Sequence, residues 1–319
     1  MEAVKSHCPL CASIRVWAFK VVPNDVPGAA AVLPLNECLD CGLAWQFPRN
    51  RSFSESVKHH TSKYSEQQSN SYFDPTKRIA IAVTELNFLG ECVDQPGTLL
   101  DVGAGDGTFI SVAAEHGWSC TGIDPAGTTS DFSLHPNGGK SRLIRGTMND
   151  LSMDGKFDVI TMWDVIEHLE DPEPTIEATT GLLQDDGILV LETGNFQSAD
   201  RIVSGDRWWG YAEDHRWYFS PLNLRRLLNR AGYRFVYYST RTLRPWWKGT
   251  HFYDGPSRVR TFRGIIRSPF SALSQLKIHK ALADAAVAYR NWAGLGIVTV
   301  VASMKPLQYQ AGENTFIEI

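Results

Sequence analysis

The chain has 319 residues, enough for about two domains. Hydrophobic residues make up 43% and charged residues 21%, an ordinary globular composition that excludes a disordered or fibrous protein. The formal net charge of −4 does not indicate a nucleic-acid-binding protein, and no apolar run reaches the roughly 18 residues that a membrane span needs. Because the N-terminus lacks the pattern of an export signal, we expect a cytoplasmic protein.

The first sixty residues carry two CxxC pairs, Cys8 with Cys11 and Cys38 with Cys41. Four thiolates match the tetrahedral coordination of a structural zinc, and in a reducing compartment such pairs indicate a metal rather than disulfides. We therefore predict a zinc-ribbon module over residues 1–60. The alternatives are a redox pair or a ribbon that has lost its metal. The polar stretch over residues 52–71 is expected to be a connector that could order over a ligand.

The rest of the chain alternates short apolar strands with helices. Asp74 and Pro75 are typical of a helix start. From Thr98 onward, the strand-like runs are TLLDV, CTGID, RLIRG, FDVITMW and ILVLET, with helices predicted over 108–116 and 176–183. This alternation predicts an α/β fold with a doubly wound, mostly parallel sheet. A helix from Ser220 and two strands follow, and an insertion at about 243–293 separates those two strands.

A glycine-rich loop follows the first of these strands, in LLDVGAGDGTF. Gly103, Gly105 and Gly107 would let the backbone approach a ligand closely, because no Cβ intervenes. Asp124 ends the next strand, where a carboxylate can accept hydrogen bonds from ribose hydroxyls. The GxGxG spacing and the acidic Asp101 disfavour a pyrophosphate. The loop therefore favours a nucleoside cation over a dinucleotide.

Three further segments carry a family resemblance: FDVITMWDVIEHLEDP, LLQDDGILVLETGN and HRWYFSPLNLRRLLNRAGY. With the glycine loop, they resemble class I S-adenosylmethionine-dependent methyltransferases over about residues 72–306, in the branch of ubiquinone-type O-methyltransferases and bacterial sugar and glycan methyltransferases. The N-terminal module is similar to the zinc ribbon of sugar C-methyltransferases. The resemblance implies a Rossmann-like methyltransferase domain behind a ribbon.

The resemblance also implies a set of cofactor-binding residues. Gly103, Ala104 and Gly105 would face the methionine part of S-adenosylmethionine, Asp124 its ribose, and Thr147 and Met148 its adenine. Trp163 and Asp164 would complete the pocket. Asp101 and Gly107 belong to the same loop and are assigned to the same site. An ordinary core aromatic is the alternative for Trp163.

Methyl transfer to a hydroxyl needs a base that removes the proton, and histidine is the usual one. His168 and His215 stand in the resembling segments, and Asp214 occupies the position where sugar C-methyltransferases carry a glutamate. We predict His215 as the base, with Asp214 holding its imidazole in one tautomer, and His168 as a second candidate. Structural histidines that pin or pack the segment are the alternatives.

The acceptor is expected to be a small molecule or glycan. Six aromatic residues within Arg207 to Phe219 suit a sugar ring or a flat acceptor, and a lid that packs on its own sheet is the alternative. We expect transfer to a hydroxyl of a sugar-like, glycan or natural-product acceptor. An RNA methyltransferase is an alternative. Residues 1–60 carry six basic and five acidic residues, and this near balance argues against a module that binds nucleic acid. A C-methyltransferase of a nucleotide sugar and a non-catalytic cofactor-binding protein are the others.

The predicted insertion is strongly basic. Over residues 241–280, nine basic residues face the single acid Asp254, and aromatic residues are interleaved with them. This pattern suits peripheral contact with an anionic membrane surface or with a phosphorylated acceptor. A solvated lid is the alternative.

Overall fold

A computed structural model describes residues 7–23, 32–50, 52–65, 74–127, 130–132, 141–151, 155–241, 296–305 and 317–318. The predicted insertion at 243–293 lies outside this part of the chain, and of the nine basic residues counted over 241–280 only Arg241 falls within it. Within the described part, no helix combines the length and the apolar character that a membrane crossing requires.

The described residues form six α-helices and thirteen strands. The helices are α1 Phe53–Ser65, α2 Pro75–Cys92, α3 Thr108–Glu115, α4 Pro172–Leu182, α5 Ala199–Ser204 and α6 Pro221–Arg230. The strands are β1 Val16–Val21, β2 Leu33–Cys38, β3 Ala44–Gln46, β4 Thr98–Val102, β5 Ser119–Asp124, β6 Ser130–Phe132, β7 Ser141–Arg145, β8 Phe157–Trp163, β9 Leu183–Gly194, β10 Trp217–Tyr218, β11 Phe235–Arg241, β12 Ile297–Ser303 and β13 Ile317–Glu318.

The large sheet has the order β13-β11-β12-β9-β8-β4-β5-β7-β6. Its five consecutive strands from β9 to β7 are parallel, and antiparallel strands flank them on both sides. Alternate residues of β4 enter opposite cores: Leu99 packs with α2 and α3, and Leu100 packs with α4 and α6. Helices therefore cover both faces, and the predicted doubly wound α/β fold is confirmed.

Local capping explains where the helices begin. The Asp74 side chain accepts the Thr76 N–H at 2.9 Å, so α2 begins at Pro75 as expected. The α4 helix begins at Pro172, four residues before the predicted start, because Asp171 caps it through the Glu173 N–H. An aspartate followed by proline is the same signal that marks α2.

The polar stretch over residues 52–71 is not only a connector, because it contains α1. The backbone N–H and the hydroxyl of Ser52 donate to Glu55 Oε2 at 2.8 and 2.7 Å, and the Glu55 N–H donates back to Ser52 Oγ at 3.4 Å. This reciprocal pair is a capping box, which stabilises the first turn of a helix. The helix extends past residue 60, the boundary expected for the N-terminal module.

A second, smaller sheet joins the N-terminal segment to the rest of the chain. Its order is β1-β2-β3-β10, with Trp45 of β3 opposite Trp217 of β10. Its fourth strand thus comes from the segment that follows the large sheet's β9. The segment just before β10 contains two of the predicted catalytic residues, Asp214 and His215.

Candidate active site and cysteine cluster

The glycine loop lies at the carboxyl end of β4. Gly103, Gly105 and Gly107 have φ values of +79°, +58° and +82°, which side chains with a Cβ rarely adopt. A Cβ on Gly103 would lie 2.3 Å from Val165 Cγ2, in the segment after β8. The loop and that segment are therefore in direct contact, as the predicted cofactor pocket requires.

The Asp124 carboxylate, at the end of β5, organises this loop. Its Oδ2 accepts the Gly105 N–H at 3.0 Å, and its Oδ1 accepts the N–H groups of Ala126 and Gly127 at 2.7 and 2.9 Å. A carboxylate oxygen can accept two hydrogen bonds. With one donor on Oδ2 among the described residues, that oxygen keeps capacity for a ribose hydroxyl.

Asp101 is buried at the end of β4, where the Thr161 hydroxyl donates to its Oδ1 at 2.7 Å. Burial raises the pKa of Asp101 to about 7, and the nearby charge of Asp124 adds to this shift.

Thr147 and Met148 follow β7 in a short 3₁₀ turn, in which the Thr147 N–H donates to Asp150 Oδ2 at 2.7 Å. Both residues thus stand at the same edge as Asp101.

Trp163 is the last residue of β8, and Asp164 follows it. The Trp163 ring meets the edge of Phe109 with centroids 5.6 Å apart, and its buried indole N–H has no acceptor among the described residues. A buried donor without an acceptor is costly unless a ligand or a water molecule supplies one. Because β4, β5, β7 and β8 are parallel neighbours, the predicted cofactor residues meet at one edge of the sheet.

The predicted catalytic residues form a histidine cluster beside this edge. The rings of His168 and His215 lie with centroids 4.7 Å apart. The two segments are joined by the backbone, since the N–H groups of Arg216 and Trp217 donate to the Glu167 carbonyl at 2.8 and 3.2 Å. The structure therefore brings the two candidate bases, His168 and His215, together with Asp214.

The hydrogen bonds fix the tautomers of both imidazoles. His215 Nδ1 lies 2.9 Å from the Gly210 carbonyl and His168 Nδ1 lies 3.2 Å from the Asp214 carbonyl. A carbonyl oxygen only accepts, so each Nδ1 carries the proton and each Nε2 is the nitrogen that can take one up. The hydrogen-bond partner of His215 Nδ1 is thus the Gly210 carbonyl. We had expected the Asp214 carboxylate in this place.

The surroundings distinguish the two candidate bases. Burial lowers the pKa of His168 to about 3, in spite of the opposing charge of Asp214. An imidazole with that pKa is a weak base near neutral pH. The neighbouring Glu167 is also buried, and burial together with the charge of Asp164 raises its pKa well above the usual range. Of the two histidines, His215 therefore fits the role of base better.

A fourth residue of this cluster was not predicted. His60, on α1, places its Nε2 3.2 Å from Asp214 Oδ2, and its ring meets His168 edge to face at 5.4 Å. The capping box of Ser52 and Glu55 could have revealed the helix. No signal in the sequence relates His60 to a residue 154 positions later in the chain.

The aromatic segment before α6 packs mainly in the core. Five of its six aromatic residues are buried, and only Trp209 is partly exposed. Trp208, Tyr211 and Tyr218 surround Phe196, with ring centroids 5.2 to 6.5 Å apart. These rings thus fit the alternative of a lid that packs on its own sheet. Of the six aromatic residues in this segment, only Trp209 has an exposed surface that a methyl acceptor could contact.

The four predicted zinc ligands form one cluster in the N-terminal segment. The Sγ atoms of Cys8 and Cys41 are 3.6 Å apart, and those of Cys11 and Cys38 are 3.5 Å apart. Tetrahedral zinc with bonds of about 2.3 Å holds its sulfurs about 3.8 Å apart. The donor set therefore fits zinc. Ala12 and Gly42, which follow the two CxxC pairs, both have positive φ.

The cysteine cluster packs against α6. Asn223 donates to the Cys41 carbonyl at 2.7 Å, and Arg230 donates to the Leu10 carbonyl at 3.0 Å. Cys8, Leu10 and Cys38 share a hydrophobic core with Leu224 and Leu227 of this helix. The cluster is thus anchored on the helix that follows the segment of His215.

Comparison with known proteins gives three results. A family model described as a methyltransferase domain matches residues 75–238. The ubiquinone biosynthesis O-methyltransferases of Haemophilus ducreyi and Marinobacter nauticus are 34% identical over 107 residues and 32% identical over 136 residues. These matches cover 30% and 39% of this chain and 45% and 57% of the two relatives.

Among solved structures, a SAM-dependent methyltransferase of Thermotoga maritima, described as a possible histamine N-methyltransferase, is 14% identical with a TM-score of 0.45. The match covers 79% of this chain and 98% of that one. Because the family model covers more than half of the sequence, the chain belongs to the methyltransferase domain family, and its predicted membership of the class I S-adenosylmethionine-dependent methyltransferases is confirmed.

Proposed function

We propose that this protein methylates a hydroxyl group of a sugar-like, glycan or natural-product acceptor, with S-adenosylmethionine as donor. The observation that carries the proposal is the fixed tautomer of His215. Its Nδ1–H is held by the Gly210 carbonyl at 2.9 Å, so Nε2 is the proton-accepting nitrogen. The O-methyltransferase names of the relatives support an oxygen nucleophile.

Different residues of the chain would bind the methyl donor and remove the proton of the methyl acceptor. When bound, S-adenosylmethionine supplies a methyl group on a positively charged sulfur. Asp124 would orient the donor through its ribose, and the backbone of Gly103 to Gly105 would lie against the methionine part. His215 Nε2 would take the acceptor's hydroxyl proton as the oxygen forms its bond to the methyl carbon and the carbon–sulfur bond breaks.

We propose zinc as a structural ion held by Cys8, Cys11, Cys38 and Cys41. All four protein positions are thiols, which leaves no open coordination position for chemistry. The corresponding organisation is a zinc-bearing module over residues 1–60 followed by a methyltransferase domain over 72–306.

The test is product identification with a donor that carries a deuterated methyl group. The full chain is incubated with nucleoside diphosphate sugars in one set of reactions and with catechols in another, and products are analysed by mass spectrometry and NMR. We expect the label on oxygen, and a loss of transfer in His215→Ala. Label on carbon or nitrogen, or no binding of the donor, would overturn the proposal.

A further inference from the structure

Helix α1 reaches the segment of His215 through two side chains on one face. Ser56 Oγ accepts a hydrogen bond from an Arg216 Nη atom at 3.3 Å, and His60 Nε2 lies 3.2 Å from Asp214 Oδ2. Residues four positions apart lie above one another on a helix. The two contacts therefore dock α1 on residues that directly flank His215.

The contact of His60 involves a buried charge. Asp214 is 7% exposed, and a buried carboxylate is costly unless donors compensate it. At 3.2 Å from Asp214 Oδ2, His60 Nε2 is placed to donate its N–H to the carboxylate, which only accepts. The carbonyl of the same Asp214 receives the Nδ1–H of His168 at 3.2 Å. Asp214 is thus held through its side chain by α1 and through its backbone by the segment after β8.

We propose that His60 is a positioning residue of the active site, which acts on His215 through Asp214. The proposal rests on the proposed role of His215 as base. Asp214 precedes His215 directly, and the Gly210 carbonyl that fixes the His215 tautomer belongs to the same short segment. Removing the His60 N–H would take one donor away from the buried Asp214 carboxylate, whose Oδ2 also lies 4.0 Å from His168 Nδ1, and the segment would hold the His215 ring against Gly210 less firmly. The N-terminal part of the chain thereby supplies a residue to the methyl-transfer site.

The experiment uses the full chain with ¹⁵N-labelled histidine, and NMR reads the tautomer of each ring at a pH where the imidazoles are neutral. In the parent protein we expect His60 as the Nε2–H tautomer and His215 as the Nδ1–H tautomer. His60→Leu removes the donor, and we expect His215 to show the averaged signature of a free imidazole. His60→Gln places an amide N–H near the position of Nε2 and should restore the parent signature. Lys58→Gln, at an exposed position of the same helix, is the matched control.

Affinity for S-adenosylhomocysteine, measured by calorimetry, should stay unchanged in all three variants and shows that the fold is intact. On an acceptor that the parent methylates, His60→Leu should lower kcat by about 10- to 100-fold, since a small displacement of a reacting group has effects of that size. The KM for the donor should not change. His60→Gln should recover most of kcat.

Two results would overturn the proposal: a parent His60 in the Nδ1–H tautomer, or a His60→Leu protein in which His215 keeps its Nδ1–H signature. If His60→Leu does not fold, Asp214→Asn decides, because it should change the His60 Nε2 resonance only if the two side chains are bonded. A parent protein that methylates no acceptor would refute the proposed function, and the tautomer spectra would still test the role of His60.

Discussion

Replacing Asp124 with asparagine is expected to destabilise both the fold and the cofactor site. Both carboxylate oxygens accept backbone N–H groups: Oδ2 from Gly105, and Oδ1 from Ala126 and Gly127. An amide has one oxygen, so in either orientation its NH₂ group faces an N–H about 3 Å away. At least one hydrogen bond to a charged group is lost, and the others become neutral.

The magnitude follows from these bonds. A hydrogen bond to a charged group contributes about 1.5–3 kcal/mol and a neutral one about 0.5–1.5 kcal/mol, so the variant should lose about 2–5 kcal/mol of unfolding free energy. Its affinity for S-adenosylhomocysteine should fall at least about tenfold, which corresponds to 1.4 kcal/mol. Urea unfolding and calorimetry measure the two effects. Asp94→Asn, at an exposed aspartate, is the control and should change stability by less than about 0.5 kcal/mol. Equal unfolding free energies for the two variants would refute this reasoning.

Three further predictions concern the cysteine cluster and the histidines. Elemental analysis should find about one zinc per chain, and Cys38→Ser should lower the melting temperature more than Cys92→Ser, whose thiol lies outside the cluster. His215→Ala should reduce turnover by about 10²–10⁴ and leave the affinity for S-adenosylhomocysteine unchanged; turnover within a few-fold of the parent would reject the base. In the unfolded chain His168 takes up a proton below about pH 6.5, whereas in the folded protein its pKa is about 3 and it stays neutral. Protons therefore bind the unfolded chain preferentially, and stability falls as the pH falls. Between pH 7 and pH 5 the unfolding free energy of the parent should fall by about 2 kcal/mol more than that of His168→Asn, a variant that keeps a donor near the position of Nδ1. Equal losses of unfolding free energy would contradict the shifted pKa.

Local signals explain what could be predicted. The strands that end at Val102, Asp124 and Trp163 are short runs rich in apolar residues, with a glycine or an acidic residue at or just after the strand end. The structure places these strands as neighbours in one sheet. The side chains that follow parallel strands meet at one edge, so the positions of Asp124 and Trp163 followed from the strand order.

The features that could not be predicted depend on contacts between distant parts of the chain. The pairing of His60 with Asp214 requires α1 to pack on a segment more than a hundred residues later, and no periodicity encodes such a contact. The aromatic residues before α6 have a composition that suits both a sugar-binding surface and a core. Only the packing of Trp208 and Tyr211 around Phe196 separates the two.

The fourth strand of the small sheet has a consequence for the order of folding during synthesis. Trp45 of β3 is made early, whereas its partner Trp217 in β10 leaves the ribosome only after most of the large sheet has been made. Closing a loop of that length costs conformational entropy that local contacts do not offset. The cysteine pairs can gather earlier, because β1, β2 and β3 are sequential neighbours. Until β10 arrives, β3 presents an unpaired edge, which is the kind of surface that nascent-chain chaperones protect.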